Sequence, residues 1–484
     1  MKLLKVYISA FCMCSLSVLL NSCDDFLKEE PLDMKSSDQF WKTKADAESG
    51  VNALYFGGVP YLHNTDVGGG WTPKATMWGG IVSGLYVDKR KDRTFTTASE
   101  GCNFNIESFD DIAMKYWHEF YKGISRANFV IANIPTMTGV LDEATINNYV
   151  AQGKFFRAYG YFWLVKEFGG VPYISEPYTS TEGMYKERLS AEEVYKKIEA
   201  DLLDIVNGDA LPNKTFYDNG CYVTRAMAQT LLAQVYLQWA GAPLNGGTDY
   251  YGKAAQMALK VINDSPHELI HPNGTTDDLS SAYNVIKTTK SSAEIIYAKE
   301  YNYSDYSVGN SYACRSIGTD AFQWGVFHPG GDVLYNAYLP CDMLLNSYAS
   351  NDIRGHEKQF FFKQYTDAEG NTHTLNNAGN WAWFDENALI SGHDGDYNMP
   401  VFRFAEVLLI AAEGLARTNH EDNAVGGAKY YLNQVRKRAG LADETATGND
   451  LIQSILTERL HELPLEFKIW DDIRRTRLYP EAST

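Results

Sequence analysis

The chain has 484 residues, 45% of them hydrophobic and 21% charged, which is enough apolar material to bury a large core in one body or two. Its formal charge is −18, which argues against nucleic acid or a bare anionic lipid surface as a partner. A balance this acidic suits an exposed, soluble body and an uncharged ligand.

Lys2 and Lys5 precede a mostly apolar run from Val6 to Leu20, which ends in Leu20-Asn21-Ser22-Cys23. A charged start, a short apolar stretch and small residues before a cut mark an export signal, and the run is too short to span a bilayer comfortably. The cysteine after the small residues resembles a lipobox. Residues 1–22 therefore read as a lipoprotein signal peptide, with Cys23 as the lipidated, palmitate-bearing residue. Asp24-Asp25-Phe26-Leu27 follows and resembles the surface-export signal of Bacteroidetes lipoproteins. The expected protein is anchored to the outer membrane, faces outward and does not cross the bilayer. No later stretch reaches the roughly 18 uninterrupted apolar residues of a membrane helix.

Two regions carry helical periodicity. In the first, Tyr116 to Tyr121 leads into Ile124, Ala127, Asn128, Ile131 and Ile134, a stripe along one helical face. Ile146 to Phe168 predicts a long helix that stops at Gly169-Gly170, with Pro172 beyond. Ser190 and Glu193 form a capping box that opens the next helix. Thr224 to Ala240 is apolar nearly all round and predicts a buried helix.

The second region repeats this character. Phe404 to Leu415 is apolar except for Glu406 and Glu413, and Ala428, Tyr431, Leu432 and Val435 form an i, i+3, i+4, i+7 stripe. A last helix carries Ile452, Ile455, Leu456, Arg459 and Leu463 and breaks near Pro464. Small residues such as Ala158, Gly160, Ala233 and Ala412 allow close helix packing, so the expected fold is mainly α, with tetratricopeptide-like hairpins. Arg157, Glu406, Glu413, Arg436, Glu458 and Arg459 lie on or beside these apolar faces. Buried charges must be paired, so they predict structural ion-pair networks.

Between Asn263 and Tyr397 the pattern dissolves into Gly, Asn, Ser, Thr and aromatic residues, which predicts functional loops. Enzyme signatures are missing: there is no His-Glu-x-x-His, no G-x-S-x-G and no phosphate-binding glycine loop. Asp394, Asp396 and Asn398 echo a calcium loop, but Met399 and Ala405 stand where glycine and glutamate belong, so a loop turn is expected. Cys102, Cys221, Cys314 and Cys341 are widely spaced and read as buried free thiols. The reading calls for no metal, cofactor or catalysis.

The ten tryptophans divide by context. Trp41, Trp117, Trp163, Trp239 and Trp470 lie in helical segments and read as packing residues. Trp71, Trp78, Trp324, Trp381 and Trp383 sit in loop-like sequence. Sugars present flat C–H faces that stack on indoles, and hydroxyls that need polar partners. The candidate glycan-binding set is therefore these five tryptophans with Asp88, Arg90 and Arg315, to which Asn310 and Gln323 are plausible additions.

Taken in order along the chain, several segments resemble one known family. They are Cys23 to Leu27 with Phe40-Trp41, then Gly153 to Phe162 with Phe168-Gly169-Gly170-Val171-Pro172, then Arg188-Leu189-Ser190 and Thr224-Arg225-Ala226. Tyr348 with Asp352 and Arg354, Arg403 to Leu409, Leu432 to Arg436, Glu458-Arg459 and Trp470 to Arg475 complete the set. By this collinear match the chain resembles the SusD/RagB nutrient-binding outer-membrane lipoproteins. The resemblance implies a SusD-like helical region over 23–240 and a RagB/SusD C-terminal region over 241–484 that holds the loop-rich binding segment. It also implies a partner, a SusC-like TonB-dependent transporter, to which captured oligo- or polysaccharide is delivered. A peptide receptor of the RagB kind and a surface glycoside hydrolase are the alternative readings. Members of the family usually continue past the Trp470–Arg475 segment with a further tail, whereas this sequence stops at Thr484.

Overall fold

The computed structural model describes residues 40–58, 79–87, 111–178, 180, 183–306, 308–328 and 338–479. The export signal, Cys23, Cys102, the side chain of Cys314, and the candidates Trp71, Trp78, Asp88 and Arg90 lie outside the described residues.

Helix α1 (Lys44–Asn52) starts the described chain and packs on α2 (Asp111–Asn133). From there each helix folds back on the one before it. Helix α3 (Glu143–Phe168) lies on α2, α4 (Ala191–Asn207) on α3, α5 (Arg225–Ala240) on α4, and α6 (Gly247–Asp264) on α5. The sequence signals act as expected. Ser190 caps α4, its hydroxyl accepting from the Glu193 amide at 3.3 Å while the Glu193 carboxylate takes the Ser190 N–H at 2.9 Å. Helix α3 ends at Gly169, whose φ of 69° suits glycine. Its last carbonyls are then met by Arg188, which donates to Phe168 O at 2.6 Å and Gly170 O at 2.5 Å. Gly160 lets α3 press against α2, since a Cβ there would stand 3.0 Å from Ile124 Cγ1.

Helix α6 does not pair with its successor in sequence, the short α7 (Ala282–Thr288). It packs on α8 (Phe404–Ala416), which in turn meets α9 (Ala428–Arg438) and α10 (Gly448–Glu462). Residues 265–403 are thus an insertion within a helical hairpin. The helices on both sides of residue 240 share one core, with Phe155, Leu202, Leu231, Ala258 and Leu408 all at 0% exposure. Every residue of α8 is buried. The last helix, α11 (Ile469–Thr476), closes the array beside α5 and α10.

The strands are short and form three separate antiparallel pairs among the described residues. Strand β1 (Tyr86–Val87) pairs with β3 (Leu339–Pro340), β2 (Ile295–Lys299) with β6 (Met399–Arg403), and β4 (Phe361–Thr366) with β5 (Thr372–Asn380). The β2–β6 pair brings the two ends of the insertion together where it leaves and rejoins the helices.

Buried ion pairs fasten the insertion to the array, which accounts for the charges on apolar helices. Arg403 donates to Glu466 at 2.7 Å, Glu294 at 2.6 Å and Glu462 at 3.0 Å. Arg438 holds Glu294 and Glu462 from α9. Arg354, inside the insertion, grips Asp352 with two nitrogens and reaches Glu458 at 2.6 Å. All three arginines are at most 1% exposed. In a second network Arg475 of α11 makes a bidentate pair with Glu413 of α8 at 2.7 and 2.6 Å, and Arg459 donates to Asp472 at 2.7 Å. Farther along, Arg157 pairs with Asp201 through two nitrogens. The conspicuous Trp470–Arg475 segment is therefore a structural clasp.

One expectation needs correcting, and one helix was not expected. Cys221 and Cys341 are free thiols, but half-buried rather than buried. The segment 247–264, for which no element was predicted, is a full helix that buries Tyr251, Ala254, Ala255, Ala258 and Val261 along one face.

Candidate functional site

The insertion builds its surface from aromatic rings held by polar side chains. The β4–β5 hairpin turns through Asp367, whose carboxylate accepts from the Glu369 and Asn371 amides at 3.0 and 2.8 Å. Gly370, with φ of 89°, completes the turn. The pairing sets Tyr365 directly opposite His373. A two-turn 3₁₀ helix, Thr319–Trp324, then lays the Trp324 indole over both rings. It is stacked on His373 at 4.7 Å and 18°, and is parallel to Tyr365 at 5.8 Å and 4°.

Each ring is oriented by a polar contact. His373 Nε2 lies 2.8 Å from Asp367 Oδ2, and the Tyr365 hydroxyl donates to Glu386 at 2.5 Å. The His373 imidazole and the turn amides hold the Asp367 carboxyl down at about 2. Phe327 packs behind Trp324 at 6.0 Å. Trp324 and His373 are half-buried, Tyr365 is buried and Gln323 is exposed at the edge. The result is a stack of rings in which Trp324 and His373 stay partly open and Tyr365 is buried, with polar side chains at its edge. That is the arrangement on which a sugar face stacks while its hydroxyls find partners.

The other candidates are placed differently. Trp381 is half-buried. Its Nε1 donates to Asn284 Oδ1 at 2.7 Å, and the ammonium of Lys287 stands 4.0 Å from its ring centroid. It connects to the Trp324 platform through Phe384, which stacks on Trp381 at 5.3 Å and lies 5.9 Å from Tyr365. Trp383 faces inward, 4% exposed, against Tyr312, Tyr338 and Phe467. Arg315 is 2% exposed and donates to Ser311 Oγ at 2.9 Å. Asn310 is also buried, bonded to the Tyr397 carbonyl and the Tyr312 amide. The structure thus brings Trp324 and Gln323 together, sets Trp381 beside them, and puts Trp383, Arg315 and Asn310 beneath the surface.

Sequence reading missed Tyr365 and His373. The signal available was the Asp367–Asn371 turn between two short runs rich in aromatic, Thr and Asn residues. The calcium-like Asp396 and Asn398 are loop fasteners: Asp396 accepts from the Tyr303 amide at 2.5 Å and the Ser304 hydroxyl at 2.6 Å, and Asn398 from the Tyr301 amide at 2.9 Å. No cluster of metal-ligating side chains occurs among the described residues.

Comparison with known proteins agrees with this architecture. Residues 355–483 match the model of the SusD family, and residues 81–237 match that of a family described as starch-binding, associating with the outer membrane. A SusD-like protein P2 from Formosa agariphila is 27% identical over 96% of this chain and 90% of its own length. A SusD-like protein from Bacteroides ovatus is 24% identical over 76% of this chain and 66% of its own. Among solved structures, a SusD superfamily protein from Parabacteroides distasonis superposes with a TM-score of 0.78 at 25% identity, covering 91% of this chain and 90% of its own. Surface glycan-binding protein A from Bacteroides thetaiotaomicron, solved in complex with laminarihexaose, superposes with a TM-score of 0.68 at 22% identity, covering 89% and 90%. With two family models in their proper order, relatives along nearly the whole length and a shared fold, the chain belongs to the SusD-like family.

Proposed function

We propose that this protein binds glycan at the cell surface without turning it over, and passes it to a SusC-like TonB-dependent transporter in the outer membrane. The observation that carries the reading is the Trp324 platform, a half-buried indole parallel to Tyr365 and stacked on His373. Family relatives named as surface glycan-binding proteins, one of them in complex with laminarihexaose, support a sugar as the ligand. The family description "associating with outer membrane" supports the location. Lipidation at Cys23 supplies the tether in this reading, with the binding loops in the region 241–484.

A stacked aromatic contributes about 0.5–1.5 kcal/mol beyond its buried area, so a few such contacts give micromolar to millimolar capture. Titration of the purified protein against a panel of oligosaccharides and a peptide library tests the ligand. Trp324→Ala should weaken glycan binding by about 3- to 30-fold while the melting temperature stays near wild type. Binding that survives this change intact, or a hit only among peptides, would overturn the assignment. Product formation from the bound oligosaccharide would replace the binder with a hydrolase.

A further inference from the structure

Two lysines converge on one indole without an anion between them. Lys287 sits on α7 and Lys358 in the turn before β4, both half-buried, with their nitrogens 4.0 and 5.4 Å from the centroid of the half-buried Trp381 ring. Among the described residues no carboxylate lies within ion-pair distance of either amine, and neither amine donates a hydrogen bond. The carboxylates that face Lys287 belong to Asp385 and Glu386, and both are engaged elsewhere. Asp385 accepts from the Ala388 amide at 3.2 Å and the Asp396 amide at 3.0 Å, and Glu386 takes the Tyr365 hydroxyl. The same molecule shows what a completed version looks like. Lys166 lies over the Trp163 ring at 3.7 Å, and there Asp471 supplies the anion at 2.6 Å. At Trp381 the ring and the cations are in place and the anion is not. The arrangement is held from beneath by Asn284, 3% exposed, which accepts the Trp381 indole N–H at 2.7 Å and donates to the Lys358 carbonyl at 2.9 Å. One buried amide thus fixes both the ring and the backbone of the second lysine.

We propose that Trp381, Lys287 and Lys358 form a subsite for an anionic substituent of the ligand, a carboxylate or a sulfate ester carried on a sugar. The inference rests on the reading of the insertion as a glycan-binding surface. The indole supplies the apolar contact and the two ammonium groups donate charge-assisted hydrogen bonds to the anion. The ring attracts each cation, but two like charges at one ring repel, and burial penalises both. Burial first, and Lys358 with it, pull the Lys287 amine down to about 7. An anion received here relieves both penalties at once. The net charge of −18 opposes this only at long range. At physiological salt, charges farther away than about 8 Å are largely screened, so the two lysines set the local field.

The test titrates the folded full-length protein with pairs of oligosaccharides that differ only in the anion. Oligouronides are set against their carboxyl-reduced counterparts, and sulfated galactans against the same chains desulfated. In at least one pair the charged member should bind about tenfold more tightly or better, and which pair responds tells carboxylate from sulfate ester. Added salt should weaken the charged member and leave the neutral one unchanged, a readout that needs no variant. Lys287→Gln and Lys358→Gln should each remove most of the preference without lowering the neutral member's affinity, and Lys358→Arg should keep it. Neutral members that bind as tightly as charged ones overturn the proposal and leave the glycan reading standing. So does a preference that survives both glutamine substitutions. Failure of every member, charged and neutral, to bind overturns the glycan reading itself, and this subsite falls with it.

Discussion

The helical array and the insertion solve the same problem with different materials. In the array the backbone satisfies itself, so side chains are free to pack, and charges enter only as closed buried pairs such as Arg475–Glu413. In the insertion few ladders exist, and polar side chains take over the work of secondary structure. Asp396, Asn398, Asn310 and Asp367 each accept one or more backbone N–H groups. Aromatic rings then fill the spaces between the loops. Helices built this way tolerate little change inside and much outside. Loops built this way leave ring surfaces half open, which a binding protein requires.

The comparison predicts its largest effect at the joint between the two regions. Arg403→Ala leaves Glu294, Glu462 and Glu466 without their shared cation, and breaking a buried pair costs about 3–5 kcal/mol. Chemical denaturation should show that loss as an earlier single transition. A midpoint close to wild type would mean that the insertion is not energetically tied to the array. Trp383→Ala should cost about 3 kcal/mol or more, because it empties a buried site between Tyr312 and Tyr338, whereas Trp324→Ala should cost under about 1 kcal/mol. Equal losses would erase the distinction between core and platform.

Acid should act on the same joint. His461 on α10 stacks on Tyr348 of the insertion at 4.4 Å, and its Nε2 lies 2.9 Å from the Ser347 hydroxyl. Burial first, and the neighbouring Arg354 second, press its pKa down to about 3. The folded imidazole thus stays neutral over a range where the unfolded one, near 6.5, takes up a proton. Its contribution is fully present above pH 6.5 and is lost as pH falls from there towards 3, amounting to about 2 kcal/mol by pH 5. Denaturation midpoints measured from pH 7 to pH 5 should fall accordingly, and His461→Asn should flatten that slope. A modest effect belongs to the array's surface: Ser190→Ala removes one cap and should cost about 1 kcal/mol without touching binding.

How much was legible follows from the same division. Helices α3, α4, α5, α8 and α9 announce themselves because large apolar residues recur at helical spacing and the caps are spelled out in Asp, Ser, Thr and Gly. Helix α6 carries the same kind of stripe in Tyr251, Ala254, Ala255, Ala258 and Val261, a face made mostly of small residues that stands out less than the large apolar faces of its neighbours. The ion-pair networks were legible as a requirement, since charge on an apolar face needs a partner, but the pairings were not. Arg354 finds Glu458 across a separation of 104 residues. Within the insertion, residue type did not separate Trp324 from Trp383 or reveal Arg315 as buried, since each is fixed by strand register and loop path. The platform partners Tyr365 and His373 came together through a hairpin whose strands are too irregular to alternate cleanly.

The split hairpin carries one more consequence. The insertion departs after α6 and returns before α8, two helices that pack side by side, and β2 and β6 pinch its ends together. A segment held at both ends can change length at almost no entropic cost. Adding ten residues to a loop as long as 265–403 alters its closure entropy by only about 0.1 kcal/mol. The helices would scarcely register such a change, provided Glu294, Arg403 and the residues that grip them stay in place. The molecule is therefore laid out as a socket with an exchangeable head. A different ligand surface can be grown or grafted between residues 300 and 398 so long as Asp352 and Arg354 keep their hold on Glu458, and the rest of the frame need not be redesigned.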